Sequence, residues 1–438
     1  MEIALDPLWD SGRIRALINS GDAGGLIRFV RQERGWRQTD LGRRAGYSAS
    51  AISRLENAGS VADVHVLKSI AAALEIPVGV IGAVLGVTER SAARVAPAPR
   101  KEPAEEDPMH RRTLLAAFGL AVPSHLLLKV DDALASMPAP AGDVTLSTGA
   151  SQLARARTLF DGGHHANLLT LLPQLLAGAH TVAESRMPEA YTHLAGCYGL
   201  ATEALTKIGR YASARLTADR ASVYAALSES PLAVASATRS LGIVLRHQDR
   251  ADAAERLTLE AAAKLESSTG LRTLAERAAF AQMLCTGSYT AAQNGDRARA
   301  LELIGDAERA ARALPHRPVP GQSPTLTPAA VRLYEVGVHW ALGDAGTAIH
   351  AGQALHPRQF HTPERRGRLH TDLARAWWQW GKPEQTAQEL LLAHRAAPAE
   401  VRDRPTIRAI VTDLVRAHPR ASGVRELAGA LATSRRQL

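Results

Sequence analysis

The side chains with the most pointed chemistry in this chain are its guanidiniums: 46 of the 52 basic residues are arginine and only six are lysine. A guanidinium is a planar fork of donors that grips phosphate, carboxylate or the edge of a guanine through paired hydrogen bonds. Seven arginines fall within residues 28–54, against only Glu33 and Asp40. Catalytic patterns are scarce beside this. The chain has no P-loop, His-Glu-x-x-His, Cys-x-x-Cys or Gly-x-Ser-x-Gly motif. Gly46-Tyr47-Ser48-Ala49-Ser50 is one residue away from a nucleophile elbow. Such an elbow must follow a strand, and this segment lies between two predicted helices. Of the sixteen histidines, His164, His165, His316, His356 and His361 sit near predicted turns without spaced partners. They read as solvated loop residues rather than metal ligands. The expectation is a protein that is not an enzyme, with no catalytic residue, metal or cofactor.

The elements that position the arginines are helices. Alanine accounts for 82 of 438 residues and aromatics for 4%, a composition that favours close-packed helices over sheets. The length suits two or three domains, roughly 150 residues each. Cys197 and Cys285 lie in apolar helical stretches and are expected as buried thiols, not a disulfide. The acidic start, Met1 to Asp6, lacks the apolar core of a signal peptide. The longest apolar run, Leu114 to Val122, is far short of the ~18 residues a membrane span needs. A cytoplasmic protein without membrane contact is expected.

Net charge is +9, yet residues 1–91 carry eleven cations against ten acids. Bulk charge therefore singles out no partner, and a motif must carry the assignment. Two Pro-rich breaks, 92–108 and 137–143, mark the organisation. The expected division is an N-terminal module at 1–91, a linker at 92–108, connecting helices at 109–147 broken at Pro123, and a helical array at 148–438.

Five short helices are expected in the N-terminal module, at 25–34, 38–45, 49–56, 64–74 and 78–85. Leu41, Ala45, Ile52 and Leu55 are spaced to share one core, Gly46 sits where the turn needs a left-handed residue, and Ser48 is placed to cap the next helix. The run Gln38-Thr39-Asp40-Leu41-Gly42-Arg43-Arg44-Ala45-Gly46, with Ile52-Ser53-Arg54-Leu55-Glu56-Asn57 and Leu67-x-x-Ile70-Ala71-x-Ala73-Leu74, resembles the lambda-repressor-like helix-turn-helix of the XRE family of bacterial regulators. The resemblance implies binding to double-stranded DNA at a palindromic operator. It implies that Ala49, Ser50, Ser53 and Arg54 face base edges while Gln38, Ser48 and Asn57 bond phosphates, with Arg43 beside them. Of these, Arg54 alone could grip guanine with two hydrogen bonds.

Beyond residue 148 the turn positions Gly209, Asp249, Gly295, Gly343 and Gly381 recur 38 to 48 residues apart. Five residues on stand Ala214, Ala254, Ala300, Ala348 and Thr386, and twelve on Ala221, Ala261, Ala307, Leu355 and Ala393. Small residues at fixed offsets let helix pairs stack closely. The segment 328–342 has two apolar stripes, Val331, Tyr334, Val338, Ala341 and Leu333, Gly337, Trp340, as a helix sandwiched between neighbours needs. Weaker pairs at 148–182, 399–417 and 420–433 bring the count to about seven. The pattern resembles degenerate tetratricopeptide (TPR) repeats. The fold expected overall is all-α: a five-helix DNA-binding module followed by an α-solenoid of TPR-like helix pairs.

A helix-turn-helix joined to such repeats resembles actinobacterial regulators that dimerise and sense a small-molecule or peptide effector. By that resemblance the inward positions are Glu203, Lys207, Arg239, Arg246, Gln282, Tyr289, Gln293, Trp340, Arg368, Arg375 and Trp378. The candidate ligand residues among them are Arg239, Arg246, Gln282, Tyr289, Gln293, Trp340, Arg368, Arg375 and Trp378. This set suits an anionic, partly apolar ligand. The alternative is a DNA-bound adaptor whose repeats recruit a protein and sense nothing small.

Overall fold

The computed structural model describes residues 9, 11–20, 22–47, 49–57, 64–77, 80, 122–136, 139, 144–317 and 326–434. The chain is all-α: the described residues form helices and connecting turns, with no strand among them. It divides into two compact units, residues 1–105 and 106–438.

The first unit contains α1 (Gly12–Ser20), α2 (Ala23–Glu33), α3 (Gln38–Ala45), α4 (Ala49–Asn57) and α5 (Val64–Ala73). Ile14, Leu26, Ile27, Val30, Leu41, Ile52, Ile70 and Leu74 form one apolar core, with Ala45 and Leu55 packed against it. Gly24 lets α2 approach α4: a Cβ there would stand 2.5 Å from the Leu55 carbonyl oxygen. The spacing of Ile14, Leu17 and Ile18 makes α1 a short amphipathic helix, about two and a half turns long, that the sequence analysis did not predict. The predicted helix at 78–85 falls, apart from Val80, outside the described residues.

In the second unit α6 (Ser124–Ala135) starts at Pro123 as expected, and most of the connecting stretch before it lies outside the described residues. The array then runs as helix pairs: α7 (Leu146–Asp161) with α8 (His165–Ala183), α9 (Pro188–Lys207) with α10 (Tyr211–Leu227), and α11 (Pro231–His247) with α12 (Ala251–Thr269). These are followed by α13 (Leu274–Gln293) with α14 (Arg297–Ala311), α15 (Pro328–Ala341) with α16 (Ala345–Gln353), and α17 (Pro363–Gln379) with α18 (Pro383–Ala396). The short α19 (Pro398–Arg402), α20 (Pro405–Ala417) and α21 (Val424–Ser434) close the chain. The expected separate pairs at 399–417 and 420–433 are thus one pair preceded by a five-residue helix.

Local chemistry explains the punctuation. Prolines 188, 231, 328, 363, 383, 398 and 405 open helices, where their missing N–H costs nothing. Gly209, Gly295, Gly343 and Gly381 take φ between 72° and 83° at the turns inside pairs, and Asp249 follows at 59°. Ala214, Ala254, Ala300, Ala348 and Thr386 are all fully buried. The second offset holds less well: Ala221, Ala307 and Ala393 are fully buried, but Ala261 is only partly so and Ala262 takes its place in the core. Helix α15 is sandwiched: Val331 and Val338 join the cluster with α13 and α14, while Leu333 and Val336 join that with α16 and α17. Cys197 and Cys285 are free and buried; burial pushes the Cys285 thiol up to about 12.

The array also closes on itself. Nδ1 of His165, at the start of α8, lies 2.8 Å from Oδ2 of Asp403, both side chains fully buried. Lys207 at the end of α9 pairs with Glu364 of α17 and, at 2.6 Å, with Glu400 of α19. A Cβ on Gly209 would meet Pro405 at 2.6 Å, so only glycine leaves room for this approach. His165 is therefore not the solvated loop residue its position suggested. It is a buried strut between the two ends of the array, fixed by a partner 238 residues away.

Candidate nucleic-acid interface and inner face of the repeats

The turn between α3 and α4 is built around Gly46, which takes φ 78° and donates its N–H to the Gly42 carbonyl. What fixes the angle of α4 is Glu56. Its carboxylate is gripped by Arg31, with Nε to Oε1 at 2.5 Å and Nη2 to Oε2 at 2.9 Å, and both residues are buried. Arg31 also donates Nη1 to the Trp36 carbonyl at 2.6 Å, and Arg28 donates to the Glu56 carbonyl at 2.8 Å. Gln38 completes the knot by donating Nε2 to Glu56 Oε2 at 2.9 Å. The amide that the family resemblance gave to a phosphate is thus partly spent inside the domain. Neither Arg31 nor this use of Glu56 was read from the sequence, because only the fold brings residues 25 apart together.

The outer surface is basic. Arg37, Arg43 and Arg44 are exposed, and Arg44 lies over the Trp36 ring, 4.2 Å from its centre. Arg43 has no acidic partner among the described residues. Ser53 is half-buried on α4. Ser48 lies outside the described residues, as do the side chains of Ala49, Ser50, Arg54 and Asn57. Residues 27–81 match the family model of a helix-turn-helix. This unit is a helix-turn-helix domain of the kind that binds DNA. Among curated proteins the chain has no match.

In the second unit the first helices of successive pairs share an inner face, and side chains meet across it. Arg239 of α11 donates Nε to Thr286 of α13 at 3.0 Å and Nη2 to the Tyr334 hydroxyl of α15 at 2.9 Å. Arg375 of α17 donates Nη2 to the Tyr289 hydroxyl of α13 at 3.1 Å, and its guanidinium sits 3.3 Å from the centre of the Trp340 ring. Arg246 lies over the Tyr289 ring at 4.7 Å and donates to Thr290 at 3.3 Å. Arg368 and Arg375 share Asp372, at 2.7 and 3.3 Å. Five predicted residues, Arg239, Arg246, Tyr289, Arg368 and Arg375, therefore form one polar network with Trp340.

Others do not join it. Trp378 leaves the set: it packs on the apolar cluster of α18, α20 and α21, edge-on to His418. Gln293 is exposed at the end of α13, and Gln282 is half-buried, its carbonyl accepting from Thr286. Missed by the sequence analysis were Arg157, which holds Glu203 at 2.6 Å, and Tyr334, Arg365 and Arg404.

Burial works against the charge on Glu203, Glu364 and Asp372. Nevertheless Arg157 beside Glu203, Lys207 and Arg365 beside Glu364, and Arg368 and Arg375 beside Asp372 hold all three below the usual carboxylate range. Burial lowers His193, His180 and His394, with Arg220 adding to the effect at His180 and Arg402 at His394. Both effects have one sign. Below pH ~6.5 the unfolded chain protonates these histidines and the folded one does not; below pH ~4.5 the same holds for the carboxylates. Stability should therefore be flat between pH ~6.5 and ~8, fall on acidification in two stages, and fall again in alkali, where the unfolded chain ionises the two buried thiols and the folded one does not. Asp161, raised mainly by burial, opposes this in part. A melting temperature that rises as pH drops from 7 to 5 would contradict the assignment.

Proposed function

We propose that this chain is a sequence-specific transcription regulator of the cytoplasm. In this reading its helix-turn-helix reads an operator and its TPR-like repeats dimerise and sense a small-molecule or peptide signal. The observation that supports the reading best is the α3–Gly46–α4 geometry within a stretch that matches the helix-turn-helix family. Bases would be read by Ala49, Ser50, Ser53 and Arg54, with Ser48, Asn57, Gln38 and Arg43 on phosphates. One such domain covers a half-site, so a palindrome with half-site centres about 34 Å apart calls for a dimer. Helix α10 offers a surface for one: Leu216, Val223 and Leu227 are exposed along a single stripe.

Binding of the full chain to a DNA pool selected for affinity tests the reading. Arg54→Ala should lose about 1–3 kcal/mol on the preferred sequence and little elsewhere, as removal of a guanine contact requires. Arg43→Ala should weaken all sequences alike. Equal, sequence-blind losses in both variants would remove Arg54 from base reading, and no enrichment of any sequence would end the regulator reading itself. The adaptor alternative draws on one observation. Hydrogen bonds from Arg239 to Tyr334 and from Arg375 to Tyr289 cross the inner face, so a bulky peptide must displace them. That leaves the outer helices as the surface for a protein partner.

A further inference from the structure

The inner face of the repeats carries its cations at two levels. Helices α11 and α17 each place arginines seven residues apart, Arg239 and Arg246 on one, Arg368 and Arg375 on the other. On α11 the two guanidiniums converge, landing on Thr286 and Thr290 of α13, four residues or about 6 Å of helix rise apart. Tyr334 receives Arg239 at one level, and Tyr289 meets both Arg246 and Arg375 at the other.

The counter-ions are unevenly supplied. Arg368 and Arg375 have Asp372, and Arg365 has Glu364 at 3.3 Å. Arg239 and Arg246 have no carboxylate within 4.0 Å among the described residues; Glu203 is ion-paired with Arg157 and acts on Arg239 only at longer range. Arg239 is held on two neutral hydroxyls. Arg246 has one long hydrogen bond to Thr290, while its Nε is buried with no partner. Arg239 is buried and Arg246 half-buried, and a cation withdrawn from water without an ion pair is costly to hold. Burial and the neighbouring guanidiniums already lower Arg246 to about 10, which is the electrostatic form of the same deficit.

The aromatic rings do not await a flat ligand. The face of Trp340 is covered by Arg375 and that of Tyr289 by Arg246, so both rings serve to orient guanidinium edges. An incoming molecule would be recognised by its oxyanions.

We propose that the inner face binds a small molecule bearing at least two phosphate groups, one set against Arg239 and the other about one helical turn away against Arg246. Phosphate supplies two charges per group and the oxygens that match a guanidinium fork, whereas a peptide C-terminus brings one carboxylate to one level. This proposal rests on the reading of the repeats as a sensor.

The full chain is tested by thermal unfolding and calorimetry with tripolyphosphate, orthophosphate and, at matched ionic strength, sodium chloride. Tripolyphosphate at a hundredfold excess over its Kd should raise Tm by about 5 °C, with orthophosphate weaker and chloride without effect. Arg239→Gln and Arg246→Gln should each cost at least tenfold in affinity and together abolish it. Both variants should keep the helical spectrum and an unliganded Tm no lower than that of the parent, since each removes an uncompensated cation. No shift with tripolyphosphate, or an equal shift in the double variant, overturns the proposal. If tripolyphosphate binds at Arg239 and Arg246 but leaves DNA affinity unchanged, the site stands and the sensing reading falls. If it does not bind, the DNA response to other effectors remains a separate measurement of sensing.

Discussion

Glu56→Ala is expected to unfold the helix-turn-helix domain at physiological temperature. The substitution strips the buried Arg31 guanidinium of both carboxylate contacts and leaves the Gln38 amide without its acceptor. Removing one partner of a buried pair costs about 3–5 kcal/mol, because the surviving charge can neither reach water nor find a substitute. A domain of this size has little more than that to lose. Hydrogen exchange of the full chain should show α2 and α4 losing protection while the repeats keep theirs, and DNA binding should disappear with it. The paired variant Arg31→Met with Glu56→Leu separates charge from packing. Replacing both partners by apolar residues removes the stranded charge, so the double variant should recover most of the loss. Normal protection in Glu56→Ala would show that the pair does not hold the domain together. The same result would free Gln38 for a purely phosphate-binding role.

Lys207→Met should have the second largest effect, and it should be felt at both ends of the array at once. Lys207 is the cation between Glu364 and Glu400, whose side chains are 7% and 0% exposed. Without it each acid keeps one arginine, Arg365 at 3.3 Å and Arg404 at 3.2 Å, so the loss is near the lower end for a buried pair, about 3 kcal/mol. Helices α7 to α9 and α17 to α20 should lose exchange protection together, while α13 and α14 change little. Lys207→Arg should restore part of the protection, because charge is kept and only geometry changes. If Lys207→Met loosens α9 alone, the closure does not couple the two ends.

The features legible in the sequence are those that neighbours along the chain decide. Gly46 and the five turn residues from Gly209 to Gly381 were readable because a left-handed backbone leaves few residue types to choose from. The double stripe on α15 was readable because helical spacing exposes it directly. Arg239, Arg246, Tyr289, Trp340, Arg368 and Arg375 were picked out because the repeat resemblance puts them at inward positions of each pair's first helix. Their partners were not. Whether Arg239 meets a carboxylate or a tyrosine hydroxyl is settled by α15, 95 residues further on. His165 and Lys207 were misjudged or left unpartnered for the same reason: their partners come from the far end of the array. Helix α1 was legible in Ile14, Leu17 and Ile18, but its arginines and flanking polar residues hid the short apolar face.

The strut from His165 to Asp403 has a consequence for how the protein is made. An open stack can settle one pair at a time as each neighbour arrives. Here two residues 238 apart must meet, and synthesis at ~5–20 residues per second puts about 10–50 s between them. Lys207 likewise leaves the ribosome well before Glu364 and Glu400, the two acids it ends up between. Until they are made, its ammonium and the His165 ring have no partner to be buried against and stay in water. The last step of folding is consequently the joining of the two ends, when Glu364, Glu400 and Asp403 take a lysine and a histidine out of solvent together.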